Sequence, residues 1–173
     1  TYGNWWSKQT NLPIKKIAIG NPHLTESISG IMRHSIPRNK VLILGDGIET
    51  DLYLELASRC YSFVENQGLS VVFRPHPLER DRVRTMKLPR GVTLDGQPNI
   101  YPSFMESRVV ISELSTGLFE AVGLSDVVLL WETEKSKFAF PEIPFKSFST
   151  FDELETILKF DRTYTVDSIS IPE

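Results

Sequence analysis

Two short stretches carry residue types that suit phosphate and ribose chemistry. The first is Arg74-Pro75-His76-Pro77, which follows an apolar run from Leu69 to Phe73. The two prolines hold His76 in a restricted, extended backbone. Arg74 offers a guanidinium for a phosphate, and His76 offers either a donor to a phosphate oxygen or a general acid. The second is Ser115-Thr116-Gly117-Leu118-Phe119-Glu120, which follows the apolar run Val109-Val110-Ile111. Ser115, Thr116 and Gly117 read as the start of a helix, with a hydroxyl as cap and Gly117 leaving room for a ligand at the main chain. A helix start favours an anion, and Glu120, one turn on, is placed to accept from ribose hydroxyls. The plain alternative for both stretches is a rigid or capped turn in an ordinary α/β domain.

Elements able to position these residues alternate along the chain. Apolar runs near 16, 41, 69, 92, 109 and 127 read as strands, several of them apolar at every position, which suits strands buried on both faces of a parallel sheet. Helical spacing separates them, most clearly from Glu49 to Asn66, where Leu52, Tyr53, Leu56, Ala57, Cys60, Phe63 and Val64 form an apolar stripe. The expected architecture is α/β, a Rossmann-like doubly wound parallel sheet. In it the strand ends at Gly45, Arg74 and Ser112 share one edge, where their loops can converge on a ligand. Gly45-Asp46-Gly47 sits at the first of these ends, although the full dinucleotide fingerprint is absent. Pro141 and Pro144 mark an expected loop after the charged stretch Glu132 to Lys137, and Thr150 or Ser149 is the expected cap of a helix over Phe151 to Phe160. The expected division is a linker over 1–15, a nucleotide-binding domain over 16–160 and a tail over 161–173.

Composition narrows the function classes. With 173 residues and a net charge of -3, the chain has no basic excess to draw it to nucleic acid or to an anionic membrane surface. Its single cysteine, Cys60, lies on the apolar stripe and reads as a buried thiol. His23 and His34 have no partner at metal-ligand spacing, so no metal site is expected. No apolar run is long enough to span a bilayer, and the expected setting is the cytoplasm, or the inner face of the plasma membrane by peripheral association. The start at Thr1-Tyr2-Gly3-Asn4-Trp5-Trp6 reads as a cut within a longer polypeptide.

The order Ile-Gly-Asn-Pro, Leu-Gly-Asp-Gly, Arg-Pro-His-Pro and Ser-Glu-Leu-Ser-Thr-Gly-Leu-Phe-Glu-Ala resembles the C-terminal, nucleotide-binding half of GT-B glycosyltransferases. It is most similar to CDP-glycerol glycerophosphotransferases and bacterial sialyl- or polysialyltransferases, with a His-Pro motif and a later serine-rich motif. The resemblance implies that His76, and Ser115 with Thr116, contact donor phosphates. Ser115 to Glu120 also matches in spacing a stretch of the non-hydrolysing UDP-N-acetylglucosamine 2-epimerases whose glutamate binds ribose. Two positions depart from these patterns: Glu113-Leu114 stands in place of Asp-Tyr, and a single Glu120 in place of paired glutamates.

The implied function is donor binding within a bacterial transferase that builds surface or capsular polysaccharide from a CDP-, CMP- or UDP-linked donor. No metal or other cofactor is implied. The glycan or lipid-linked acceptor and its general base would belong to an N-terminal domain outside this chain, which alone would bind nucleotide weakly and turn over nothing. The alternatives are a UDP-sugar 2-epimerase-like domain and a non-catalytic nucleotide-binding module.

Overall fold

The structure, a computed structural model, describes residues 25–26, 36–142 and 145–159. The strand expected over Lys16 to Gly20 and the linker and tail lie outside them.

Among the described residues six parallel strands form one sheet: β1 Lys40–Leu44, β2 Ser70–Arg74, β3 Val92–Leu94, β4 Ser107–Ser112, β5 Val127–Trp131 and β6 Lys146–Phe148, in the spatial order β3-β2-β1-β4-β5-β6. The order reverses between β1 and β4, because the chain leaves β3 at one edge and returns beside β1. That switch point opens a crevice at the carboxyl ends of the two strands.

Alternation along the strands sends side chains into two cores. Val41, Ile43, Val71, Phe73, Val109, Ile111, Leu129 and Trp131 share one core with α1 (Thr50–Val64), Val83 of α2 (Arg80–Arg84) and Leu154, Ile157 and Leu158 of α6 (Phe151–Leu158). Leu42, Leu44, Val72, Val110, Val128 and Leu130 share the other with α3 (Ile100–Met105) and α4 (Gly117–Ala121). Both faces are therefore covered, which is why the middle positions of β1, β2, β4 and β5 are apolar on both sides. Cys60 is fully buried in α1, and burial pushes its thiol up from the ordinary range. Thr150 caps α6 as expected, accepting from Glu153 N–H at 3.2 Å.

The charged stretch before the loop expected around Pro141 and Pro144 forms α5 (Glu134–Ala139), and after that loop comes the edge strand β6, which carries Phe148 onto Trp131 with rings nearly parallel. Thr133 starts α5 with a capping box, accepting from Ser136 N–H while Ser136 Oγ accepts from Thr133 N–H.

Candidate functional site

The ends of β1, β2 and β4 are stitched together at the carboxyl edge. Gly45 N–H donates to Arg74 O at 2.9 Å, and Ser112 Oγ donates to Leu44 O at 2.9 Å. Gly45 is a packing glycine: a Cβ there would meet Glu79 Oε1 at 2.8 Å and the Phe73 ring at 3.0 Å. Its smallness admits the close approach of the β2 loop.

That loop holds His76 from several sides. His76 Nδ1 accepts from Leu78 N–H at 3.3 Å, and His76 N–H donates to Glu79 Oε1 at 3.1 Å, closing a capping box on the short 3-10 turn Pro77–Glu79. Glu79 is buried and also binds Thr50 Oγ1 at the start of α1. On the other side lies Gly47, with φ of +86°, where a Cβ would stand 3.0 Å from His76 Nδ1. Because Nδ1 is an acceptor, the ring proton resides on Nε2, and that N–H is the donor the imidazole has to offer. Glu79 stands three residues after His76, the capping-box spacing, and this was the available sequence signal for it.

Arg74 is arranged differently from the expectation. Its Nη1 donates to Asp95 Oδ2 at 2.6 Å and to Gln97 O at 2.9 Å, and its Nη2 donates to Pro98 O at 3.4 Å. The guanidinium expected to face a phosphate is held by a carboxylate and two loop carbonyls. Asp95 also accepts from Gln97 N–H and Ser103 Oγ, so it ties the loop after β3 to α3.

At the β4 end, Ser115 Oγ accepts from Gly117 N–H at 3.1 Å. Leu118 N–H reaches Ser115 O and Phe119 N–H reaches Thr116 O, each at 3.1 Å, while Ser115 N–H reaches Ser112 Oγ at 3.4 Å. The N–H groups expected to await an anion are largely closed into the turn, and α4 is only five residues long. What the turn presents is hydroxyl: Ser115 keeps its own proton to donate, and Thr116 is exposed and makes no cap bond. Gly117 is buried, and a Cβ there would meet Leu44 Cδ1 at 3.1 Å, so its smallness serves the contact of α4 with β1. Glu120 accepts from Tyr101 Oη of α3 at 2.6 Å.

Glu113, read from the sequence only as a departure from the Asp-Tyr pattern, is a buried carboxylate at the end of β4. It is 1% exposed, binds Thr133 Oγ1 and accepts from Tyr53 Oη at 3.5 Å. Burial, then the charges of Asp46 and Glu113, push the Tyr53 phenol well above its ordinary range, so it stays a donor. Asp46 Oδ1 closes the turn ahead of α1, accepting from Ile48 N–H at 2.8 Å and Glu49 N–H at 3.0 Å, while its Oδ2 is buried without a hydrogen bond. Carboxylate oxygens of Asp46, Glu49 and Glu113 lie within 4.8 Å of one another. The cation beside them is Lys135, paired with Glu49. That hydrogen bond, followed by the charges of Glu113, Glu49 and Asp46, raises the lysine above its ordinary range.

No protein-family model matches the sequence, and comparison with curated proteins finds no match. Solved structures do match. The wall teichoic acid polymerase TagF, solved with CDPG, superposes with a TM-score of 0.53 at 15% identity, over 83% of this chain and 36% of its own. The fold is the Rossmann-like fold of a GT-B glycosyltransferase domain. TarM aligns at a TM-score of 0.49 and 14% identity, over 74% of this chain and 30% of its own. KpsC from Thermosulfurimonas dismutans, a beta Kdo 2,4 transferase, aligns at 0.40 and 17%, over 65% and 46%. This chain therefore spans less than half the length of each of these proteins. No helix among the described residues is long and apolar enough to cross a membrane.

Proposed function

We propose that the chain is the donor-binding domain of a GT-B transferase that takes a sugar or polyol phosphate from a CDP-, CMP- or UDP-linked donor for surface polysaccharide synthesis. The observation that carries this reading is the state of His76. It stands after β2 at the carboxyl edge, held by Leu78, Glu79 and Gly47, with Nδ1 accepting so that Nε2–H is the donor it offers. A donor fixed in advance costs little to organise as charge develops on a departing phosphate. The hydroxyls of Ser115 and Thr116 supply further donors from the β4 loop.

Arg74 holds the loop after β3 instead of the phosphate, since Asp95 already neutralises it. Ile48 and Leu78, 78% and 88% exposed, stand on the two loops beside His76 and form an apolar rim for the part of the enzyme that brings the acceptor. The fold match to TagF, whose structure was solved with CDPG, supports a cytidine donor first. Thermal-shift titration with CMP, CDP, UDP and GDP tests the reading: selective stabilisation by one nucleotide names the donor class, and a folded chain that none of them stabilises defeats it.

A further inference from the structure

Tyr101 and Glu120 stand on different helices on the same face of the sheet, and the phenol donates to Glu120 Oε2 at 2.6 Å. Tyr101 is 3% exposed, whereas Glu120 is only half-buried on a short helix. The tyrosine is fixed at several points. Its ring packs edge-on against Phe104, and its N–H is held by Asn99 Oδ1 at 3.0 Å, the N-cap bond of α3. Asn99 directly follows the loop whose Gln97 and Pro98 carbonyls accept from Arg74. Asp95 joins that loop to Ser103 of α3 at 2.7 Å. A continuous run of contacts thus leads from the end of β2 to the Glu120 carboxylate.

Burial, followed by the hydrogen bond to Glu120 and its charge, pushes the Tyr101 phenol up to about 12, so it remains a donor at neutral pH. A carboxylate held by one oxygen is restricted in position and still presents acceptor lone pairs on the other. A glutamate left free would lose side-chain freedom on binding a ligand, at a cost of about 1 kcal/mol or more. Here that freedom is removed beforehand.

We propose that Tyr101 is a positioning residue that fixes Glu120 as the acceptor for the ribose hydroxyls of the bound nucleotide, with the Arg74–Asp95 pair holding the loop that caps its helix. The inference rests on the nucleotide reading above. A merely structural tyrosine would alter affinity for every nucleotide alike. A positioning tyrosine alters the preference for ribose over deoxyribose.

The test is calorimetric titration of the 173-residue chain with CDP, 2′-deoxy-CDP and 3′-deoxy-CDP, and with the matching uridine set, for the parent, Glu120→Gln and Tyr101→Phe. The parent should prefer the ribonucleotide over at least one deoxy form by about tenfold, the size of one hydrogen bond to a charged group. Glu120→Gln should abolish most of that preference. Tyr101→Phe, which keeps the ring, should lower it to about twofold with little change in affinity for the deoxy form. Asn99→Ala, which releases the cap and keeps the phenol, should lower the same ratio and serves as the readout if Tyr101→Phe does not fold. Full preference in Tyr101→Phe, or in Asn99→Ala where that variant is the readout, with preference lost in Glu120→Gln, overturns the role of Tyr101. A parent without preference, or an unchanged Glu120→Gln, removes Glu120 from the ribose and overturns the inference at its root. A folded parent that binds no nucleotide overturns the nucleotide reading itself, and the inference with it.

Discussion

Arg74 and Asp95 form a buried ion pair, Nη1 to Oδ2 at 2.6 Å, with side chains only 11% and 4% exposed. Positions 21 residues apart are joined by it, and the pair links the end of β2 to the loop after β3. Removing one partner of such a pair strands the other charge in a poorly solvated place. Asp95→Ala should therefore destabilise the chain by about 3 kcal/mol, read as a lower urea midpoint. The double replacement Arg74→Met with Asp95→Leu should cost clearly less than Asp95→Ala alone. Equal losses would show that the pair contributes through packing and not through charge.

Gly47 and Gly68 provide a matched comparison. Both have positive φ, +86° and +71°, but a Cβ at Gly47 would meet the His76 ring, and one at Gly68 would meet nothing within 4 Å. Each alanine replacement should cost about 1–2 kcal/mol of stability for the left-handed backbone. Only Gly47→Ala should also weaken nucleotide binding, because it displaces the imidazole. Equal binding by the two variants would detach His76 from the β1 loop.

Tyr101 makes stability sensitive to alkali. Its phenol titrates at about 12 in the fold against an ordinary value of 10.0, so the unfolded chain releases the proton first. The corresponding stabilisation is complete below pH 10 and is lost as the pH rises through about 12. Urea unfolding at stepped pH should show Tyr101→Phe declining less steeply than the parent across that window. Parallel curves would mean that the fold does not raise the phenol, by burial or through Glu120.

Much of the fold was legible because its strands are unbroken apolar runs. Val127–Trp131 could be read directly, and Cys60 fell on the buried stripe of α1. Lys146–Phe148 could not be read, since three residues of an edge strand show no period, and half of α5 is charged, with Ser136, Phe138 and Ala139 its uncharged residues. His76 was legible through its two flanking prolines, a local signal. The partners of Arg74 were not, because Asp95 and the Gln97 and Pro98 carbonyls reach it only when β2 and β3 pair. The same holds for Glu120. Its spacing from Ser115 suggested a ribose ligand, but the tyrosine that holds it comes from another helix. Local hydrogen bonding also closed the Ser115 turn, leaving hydroxyls where free N–H groups had been expected.

The account turns on His76 as a phosphate donor at the carboxyl edge of the sheet. Calorimetric titration of CDP into the parent chain and into His76→Ala, with UDP alongside, tests it most directly. The parent should bind one of the two, and the variant, equally folded, should bind that nucleotide more weakly by about 1–3 kcal/mol. A folded parent that binds neither, or a variant that binds as tightly as the parent, would contradict it.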